Sequence, residues 1–150
     1  MRRKDKLVTD ESITEKILNE AQIIRFAMID GNEPYLIAMN FVYIDRCLYM
    51  HCATEGRKNE IIKINNNITF QTDIGTEIVL TESRCTTKYM SVIGTGKASF
   101  LNNIQTKINV LNKIMIKYNS KPFDYPKETL DRTLILKVEI NEVTGKCSGY

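Results

Sequence analysis

The sequence lacks the residue patterns that mark several common classes of protein. Its single histidine, His51, excludes a metal site built from several histidines. The Rossmann, P-loop and Gly-x-Ser-x-Gly patterns are absent, and the pair Gly94 and Gly96 stands in the middle of a predicted strand without the helix that a dinucleotide loop needs. The cysteines show neither the CxxC spacing of zinc sites nor the density of a disulfide scaffold, so we expect free, buried thiols. They are Cys47, Cys52, Cys85 and Cys147.

Long apolar runs and concentrated charge are missing as well. The longest apolar run is far short of the roughly 20 residues that cross a bilayer, and no apolar signal core follows the basic residues 1–6, so we predict no membrane association and a cytoplasmic location. The net charge is +3, but the basic residues are spread along the chain, which argues against a nucleic-acid surface and favours a small anionic ligand. With 150 residues, we expect one domain spanning residues 1–150.

Apolar spacing predicts the secondary structure of the first half. A helix begins near Asp10, with Thr9 or Asp10 as its N-cap, and ends at about Ala21. A β-hairpin of two largely buried strands follows, at residues 22–30 and 35–43 with a turn at 31–34. Two further strands, at residues 48–52 and 68–73, flank a short helix that begins near residue 57.

The second half is predicted as a polar, irregular crossing and two strands around a helix. The crossing covers residues 74–84 and leads to a long strand at 86–101, with a bend or bulge at Gly94 and Gly96. Residues 104, 108, 111, 115 and 118 form the apolar face of an amphipathic helix. A loop at 119–126 precedes a last strand at 134–141. Six strands in hairpins, with three helices between them, predict a mostly β (α+β) fold: an antiparallel six-stranded barrel with peripheral helices.

The segment from His51 to Lys58 joins a strand to a helix through a turn of small residues. Gly56 lets the backbone approach a ligand closely, and Arg57 and Lys58 fall in the first turn of the helix. Cations there oppose the helix dipole, whereas a bound dianion would reverse the sign of that interaction and accept hydrogen bonds from backbone N–H groups and both side chains. The turn therefore predicts a phosphate site. The alternative is an ordinary solvated pair of charges.

The order of these pieces resembles the split-barrel flavin-binding proteins related to pyridoxamine 5'-phosphate oxidase, and among them the Nim nitroimidazole-resistance group. The resemblance spans nearly the whole chain. It is carried by four segments in the same order, residues 1–5, 34–41, 51–58 and 88–98. It implies a split β-barrel that binds FMN, with the flavin between the two subunits of a homodimer.

The resemblance also implies a set of cofactor-binding residues. In that family the FMN phosphate lies against the turn after the third strand, here residues 56–58, while residues 51–53 run beside the ribityl chain and residues 39–41 offer main-chain groups to the ring. Two residues of the long strand complete the pocket. The set comprises Met39, Asn40, Phe41, Met50, His51, Cys52, Ala53, Gly56, Arg57, Lys58, Tyr89 and Ser91. Judged singly, Phe41 and Met50 suit a hydrophobic core, and Tyr89 suits a sheet surface with its hydroxyl in water.

The function that the resemblance implies is FMN-dependent reduction of a small nitroaromatic compound. Vitamin B6 oxidation is not expected, because the related oxidases share a C-terminal segment with Trp and Arg, and this chain contains no tryptophan. His51 is the candidate catalytic proton donor, with a structural hydrogen-bonding role as its alternative. Two other functions stay open: a flavin-carrying binding or sensor protein without efficient turnover, and the same fold holding FAD, haem or a deazaflavin. The electron donor also stays open.

Overall fold

The computed structural model describes residues 4–118, 121–122 and 124–150. Residues 1–3 of the predicted basic start, and residues 119, 120 and 123 of the predicted loop, lie outside the described part. The strands are β1 (Leu7–Val8), β2 (Ile23–Asp30), β3 (Glu33–Asn40), β4 (Val42–Ile44), β5 (Cys47–Ala53), β6 (Asn67–Leu80), β7 (Cys85–Leu101) and β8 (Thr133–Ser148). The helices are a 3-10 turn (Lys4–Lys6), α1 (Glu11–Glu20), α2 (Arg57–Ile64), α3 (Ile104–Lys117) and α4 (Lys127–Asp131).

All the described strands join one antiparallel sheet. Its order is β3-β2-β6-β7-β8-β5-β4, and β1 pairs with β8. The prediction of a mostly β, antiparallel split barrel with peripheral helices is confirmed. The described part of the chain has eight strands rather than six, because β1 has two residues and β4 has three, too few to produce a readable alternation.

The hydrophobic core lies between the sheet and helix α1. Phe26, Phe41 and Phe70 are the largest side chains that the fold buries completely, and Ile17 and Leu18 of α1 pack against them. The predicted N-cap is confirmed, since the Asp10 carboxylate accepts a hydrogen bond from the Ser12 N–H at 2.9 Å. The bend predicted near Gly96 is also confirmed. Between Thr95 and Gly96 the register with β8 shifts, and a Cβ atom on Gly96 would lie 2.4 Å from the Glu139 carbonyl oxygen.

The predicted irregular crossing at residues 74–84 is wrong. Strand β6 continues to Leu80 and pairs with β7 as a hairpin, with Leu80 opposite Cys85. This part of the hairpin is mostly exposed, so no buried face produces an alternating pattern in the sequence. The register shift between Ile74 and Glu77 coincides with Gly75, whose φ of +63° interrupts the pattern further.

The hairpin predicted at residues 22–43 is present, but its second strand is shorter and less buried than predicted. Strand β3 ends at Asn40, and the following residues form β4 and pair with β5 instead. Because β3 is at one end of the sheet order, it alternates between exposed and half-buried side chains.

Helix α3 is present, but its buried stripe differs from the predicted one. The buried residues are Lys107, Val110, Leu111 and Ile114, whereas Ile104 is exposed. The Lys107 ammonium donates a hydrogen bond to the Leu130 carbonyl at 2.7 Å. Lys107 is therefore buried although it is charged, and a prediction based on apolar residues did not include it. The sequence prediction left the residues between the loop at 119–126 and the last strand unassigned and so missed α4, and the last strand runs from Thr133 to Ser148 rather than from 134 to 141.

All four cysteines are free thiols, as predicted, but they are not all buried. Cys52 is buried, Cys47 and Cys147 are half-buried, and Cys85 is exposed on the β6–β7 hairpin. Among the described residues, no helix combines the length and apolar character required to cross a membrane.

Candidate functional site

The turn that begins α2 has the backbone of an anion site. Gly56 is the N-cap residue with φ 131° and ψ 163°, a conformation that L side chains rarely adopt. Its carbonyl accepts the N–H groups of Asn59 at 2.9 Å and Glu60 at 3.3 Å, so the helix is formed from its first turn. Within the described residues, no side chain caps this end. The first N–H groups of a helix have no partner inside it, and here they remain available to a ligand.

Asn59 fixes this turn to the end of β5, and sequence reasoning did not select it. Asn59 is only 1% exposed, its side-chain amide nitrogen donates to the Ala53 carbonyl at 2.9 Å, and the Cys52 thiol lies 3.9 Å from its amide oxygen. An asparagine inside a short helix is a weak signal by itself. Its position three residues after the N-cap glycine is the feature that could have identified it.

The two cations of the turn have different surroundings. Arg57 donates through Nε to a carboxylate oxygen of Asp30 at 2.7 Å, and its guanidinium carbon lies 5.1 Å from the centre of the Tyr35 ring. Lys58 is half-buried, and its charge adds to the effect of burial in lowering the pKa of His51 on β5. Arg57 is therefore held by the β2–β3 hairpin, whereas Lys58 acts on the strand that precedes the turn.

Strand β5 sorts the predicted residues into two faces. Leu48, Met50 and Cys52 point into the core, while His51 and Ala53 are exposed on the opposite face. A ligand on the exposed face can therefore reach Met50 and Cys52 only through their main chain. Burial raises the pKa of the Cys52 thiol, and the Lys58 charge opposes this only in part, so the thiol is protonated at neutral pH.

His51 lies at a small cavity under helix α3. His51 is exposed at the surface, but the protein atoms around its ring replace part of the surrounding water. This desolvation lowers the pKa of the imidazole, and the Lys58 charge lowers it further. The imidazole is therefore mainly neutral at pH 7. The cavity has a volume of about 230 Å³. Its lining consists of Asn40, His51, Leu111, Ile114, Met115, Tyr118 and Tyr125.

The end of α3 holds the β3–β4 junction through Tyr118 and Lys117. The Tyr118 hydroxyl accepts the Phe41 N–H at 3.2 Å and donates to the Gln22 carbonyl. The Lys117 ammonium donates to the Leu18 carbonyl at 3.2 Å and lies 3.6 Å from the centre of the Phe41 ring. Burial lowers the pKa of Lys117 to about 8. The Phe41 N–H, which the resemblance offered to the flavin ring, thus already has a partner in the chain.

Of the predicted residues, Tyr89 and Ser91 lie away from the others. His51 pairs with Ile135 of β8, and Ile135 pairs with Leu101 of β7. Ser91 is ten residues before Leu101 on β7, which is roughly 33 Å of extended strand. One chain therefore brings together the turn, His51, Asn40 and the end of β5, but not the two residues of the long strand.

A larger cavity lies elsewhere in the fold. It has a volume of about 520 Å³ and is formed by α1, β8 and the residues before α1. Four carboxylate side chains line it, those of Asp10, Glu11, Glu15 and Glu142, and Arg46 offsets only part of their charge. This surplus of negative charge makes the cavity unsuitable for a phosphate, so the α2 turn remains the candidate anion site.

Comparisons with known proteins identify a family and several similar structures. A family described as pyridoxamine 5'-phosphate oxidase matches residues 10–147. A solved structure of a candidate 5-nitroimidazole antibiotic resistance protein from Bacteroides thetaiotaomicron is 27% identical with a TM-score of 0.87, over 94% of this chain and 86% of that one. No curated protein sequence gives a significant match.

Two structures with lower identity share the fold alone. An FAD and heme binding protein from Mycobacterium smegmatis is 14% identical with a TM-score of 0.83, over 97% of this chain and 74% of that one. The flavocytochrome Anf3 from Azotobacter vinelandii has the same identity of 14% and TM-score of 0.83, over 100% of this chain and 72% of that one.

The arrangement predicts that Lys58→Ala raises the pKa of His51, because it removes a nearby positive charge that disfavours the imidazolium. The pKa should stay below the ordinary value of 6.5, since burial is the larger cause. A pH titration of the ring signals by NMR measures this cleanly, because His51 is the only histidine. The matched control is Lys63→Ala in the last turn of α2. Equal pKa values in the parent and Lys58→Ala would contradict the proximity of the two side chains.

Proposed function

The chain belongs to the pyridoxamine 5'-phosphate oxidase family, and on that premise we propose that it is an FMN-binding oxidoreductase that reduces a small nitroaromatic compound. The observation that carries the proposal is the start of α2, where Gly56 leaves the helix without a side-chain cap among the described residues. Lys58 and His51 lie beside that end of the helix.

The residues present suit the phosphate of FMN. Open backbone N–H groups, the positive end of a helix dipole and the Lys58 ammonium all favour a dianion. Apart from Gly56 itself and its two chain neighbours, no described residue has an atom within 4 Å of the position that a Cβ atom of Gly56 would occupy, so a phosphate can approach the main chain. FMN, when bound, supplies hydride exchange with a substrate. Everything else in the proposal concerns how this chain binds, orients and supplies protons.

The cavity under α3 suits a small aromatic substrate. Leu111, Ile114 and Met115 give it an apolar wall, and Asn40 offers an amide that can orient a polar substituent. The nitro substituent is supported by the similarity to the candidate 5-nitroimidazole resistance protein. Two-electron reduction of a nitro group to a nitroso group takes up two protons and releases water. The neutral imidazole of His51 can take a proton from solvent and pass it to the substrate.

A homodimer with the flavin at its interface is part of the proposal. At about 230 Å³, the cavity is smaller than the 300 Å³ or more that usually encloses a cofactor-sized ligand. Tyr89 and Ser91 can reach the site only from a second copy of the chain, since in their own chain they lie far along β7. Exposed apolar side chains offer a surface for that contact, with Ile78 69% and Leu80 74% exposed on the β6–β7 hairpin.

A flavin-carrying protein without turnover would use the same phosphate turn, and it is the second candidate. The fold is also shared with proteins described as binding FAD and heme, so these cofactors are the alternatives to FMN. The cytoplasmic location remains a prediction.

We predict that Lys58→Ala weakens FMN binding by one to two decades, because it removes a charge-assisted contact worth roughly 1.5 to 3 kcal/mol. Quenching of flavin fluorescence gives the affinity. Lys63→Ala, five residues further along the same helix, is the control for the loss of one positive charge. Unchanged FMN affinity in both Lys58→Ala and Arg57→Ala would remove the basis for the phosphate site.

The second expectation is that the protein with bound flavin is a dimer. Light scattering at micromolar concentration should give about twice the chain mass of 17.3 kDa. Ile78→Asp combined with Leu80→Asp should shift the protein toward monomer if the hairpin forms the contact. A monomer that keeps its flavin would exclude a site shared between subunits.

The third expectation concerns His51→Gln, which should retain FMN but slow substrate reduction on the order of a hundredfold. The amide can still hydrogen-bond, yet it cannot exchange a proton near neutral pH. The flavin is reduced without oxygen, mixed with a nitroimidazole, and its reoxidation is followed at equal flavin occupancy. Equal rates for the parent and the variant from about pH 5.5 to 8 would assign His51 a structural role.

A further inference from the structure

A carboxylate stands beside the proposed phosphate turn, where simple electrostatics would disfavour it. Asp30 is the last residue of β2, directly before the turn residue Gly31 with φ +61°. Its side chain is 33% exposed, whereas that of its partner Arg57 is 64% exposed. The carboxylate is thus the more buried member of the pair. A negative charge at this position should repel a phosphate, so its presence calls for a favourable effect that outweighs the repulsion.

The contact geometry indicates what Asp30 contributes. It accepts the Nε–H of Arg57 at 2.7 Å. A guanidinium has five N–H bonds in a rigid plane, so this contact leaves the four N–H bonds of the two Nη groups for other acceptors. The Tyr35 ring, 5.1 Å from the guanidinium carbon, restricts the plane from one side. Two contacts from one hairpin therefore restrict a side chain that would otherwise move freely in solvent.

We propose that Asp30, assisted by Tyr35, is a positioning residue that holds the Arg57 guanidinium with its Nη edge ready for the ligand phosphate. The inference rests on the proposed function, because it takes the Gly56 to Lys58 turn as the FMN phosphate site. Pre-ordering an arginine removes part of the entropy cost that binding would otherwise include. In this arrangement the β2–β3 hairpin favours phosphorylated flavins through Arg57.

The sign of one mutational effect distinguishes this role from simple repulsion. If Asp30 only repels the phosphate, Asp30→Ala should strengthen FMN binding. If it positions Arg57, Asp30→Ala should weaken FMN binding by about two- to tenfold, the range expected for ordering one long side chain. Asp30→Asn keeps an acceptor for the Nε–H group without the charge, so it should bind FMN at least as well as the parent.

The experiment measures the affinities of FMN and riboflavin for the parent, Asp30→Ala, Asp30→Asn, Arg57→Ala and the double variant Asp30→Ala/Arg57→Ala. Riboflavin lacks the phosphate, so its affinity should be the same in all five proteins. The double variant should lose no more FMN affinity than Arg57→Ala, because both changes remove one interaction. Thermal unfolding of each variant verifies that it is folded.

Three results would overturn the inference. Tighter FMN binding in Asp30→Ala would leave the carboxylate as a repelling charge only. An equal loss for riboflavin and FMN would assign Asp30 to general support of the fold. Additive losses in the double variant would show that Asp30 and Arg57 act separately. These results would leave the proposed function intact if Lys58→Ala still weakens FMN alone, whereas failure of the parent to bind either flavin would overturn both.

Discussion

The attachment of helix α2 to the end of strand β5 is the constraint on which the candidate site depends. Buried Asn59 makes this attachment through its hydrogen bond to the Ala53 carbonyl. It holds a strand end and a helix start together across a turn in which Gly56 adopts a conformation reserved for glycine. The strand that ends here carries His51 and the helix that starts here carries Lys58, so this buried amide joins the two elements that bring the imidazole and the ammonium together. An amide buried this deeply is costly to leave without partners, so the turn has little freedom to relax.

The charges around the turn form a consistent arrangement once an anion is included. Without a ligand, the Lys58 ammonium stands unfavourably at the positive end of α2, and it adds to burial in lowering the pKa of His51, because a positive charge disfavours the imidazolium. A dianion would relieve both. Asp30 of the β2–β3 hairpin forms an ion pair with Arg57, so the turn does not carry two unpaired cations next to each other. The paired Arg57 guanidinium and the half-buried Lys58 ammonium differ in the same way as the hydrogen-bonding geometries of the two side chains, a rigid planar fork and a compact point charge.

Local features of this fold could be predicted from the sequence, and contacts between distant segments could not. The Gly56 turn, the Asp10 cap and the bend at Gly96 each depend on a few neighbouring residues, so the sequence carries their signal directly. The contact of Arg57 with Asp30 spans 27 residues, and that of Tyr118 with Phe41 spans 77. Neither of these two contacts produces a periodic pattern in the sequence from which it could be predicted.

The β6 extension was missed for a related reason. This extension pairs with β7 through backbone hydrogen bonds, while most of its side chains face solvent. Because neither face is buried, its sequence does not alternate between apolar and polar residues. The predicted cofactor-binding residues came from a family resemblance. A resemblance matches segments along the chain, but it does not determine which residues come together within one subunit. The pairing register separates Tyr89 and Ser91 from His51 within one chain. For this reason the proposed site includes a second copy of the chain.

The central claim is that the chain holds FMN by its phosphate, and the visible absorption spectrum of the purified protein tests it most directly. The protein is incubated with FMN or with riboflavin, passed through a desalting column, and its spectrum recorded before and after denaturation. The account predicts that flavin absorption bands stay with the protein after FMN, that denaturation releases intact FMN, and that riboflavin is largely lost on the column. Equal retention of riboflavin and FMN, or a haem spectrum with no retained flavin, would contradict it.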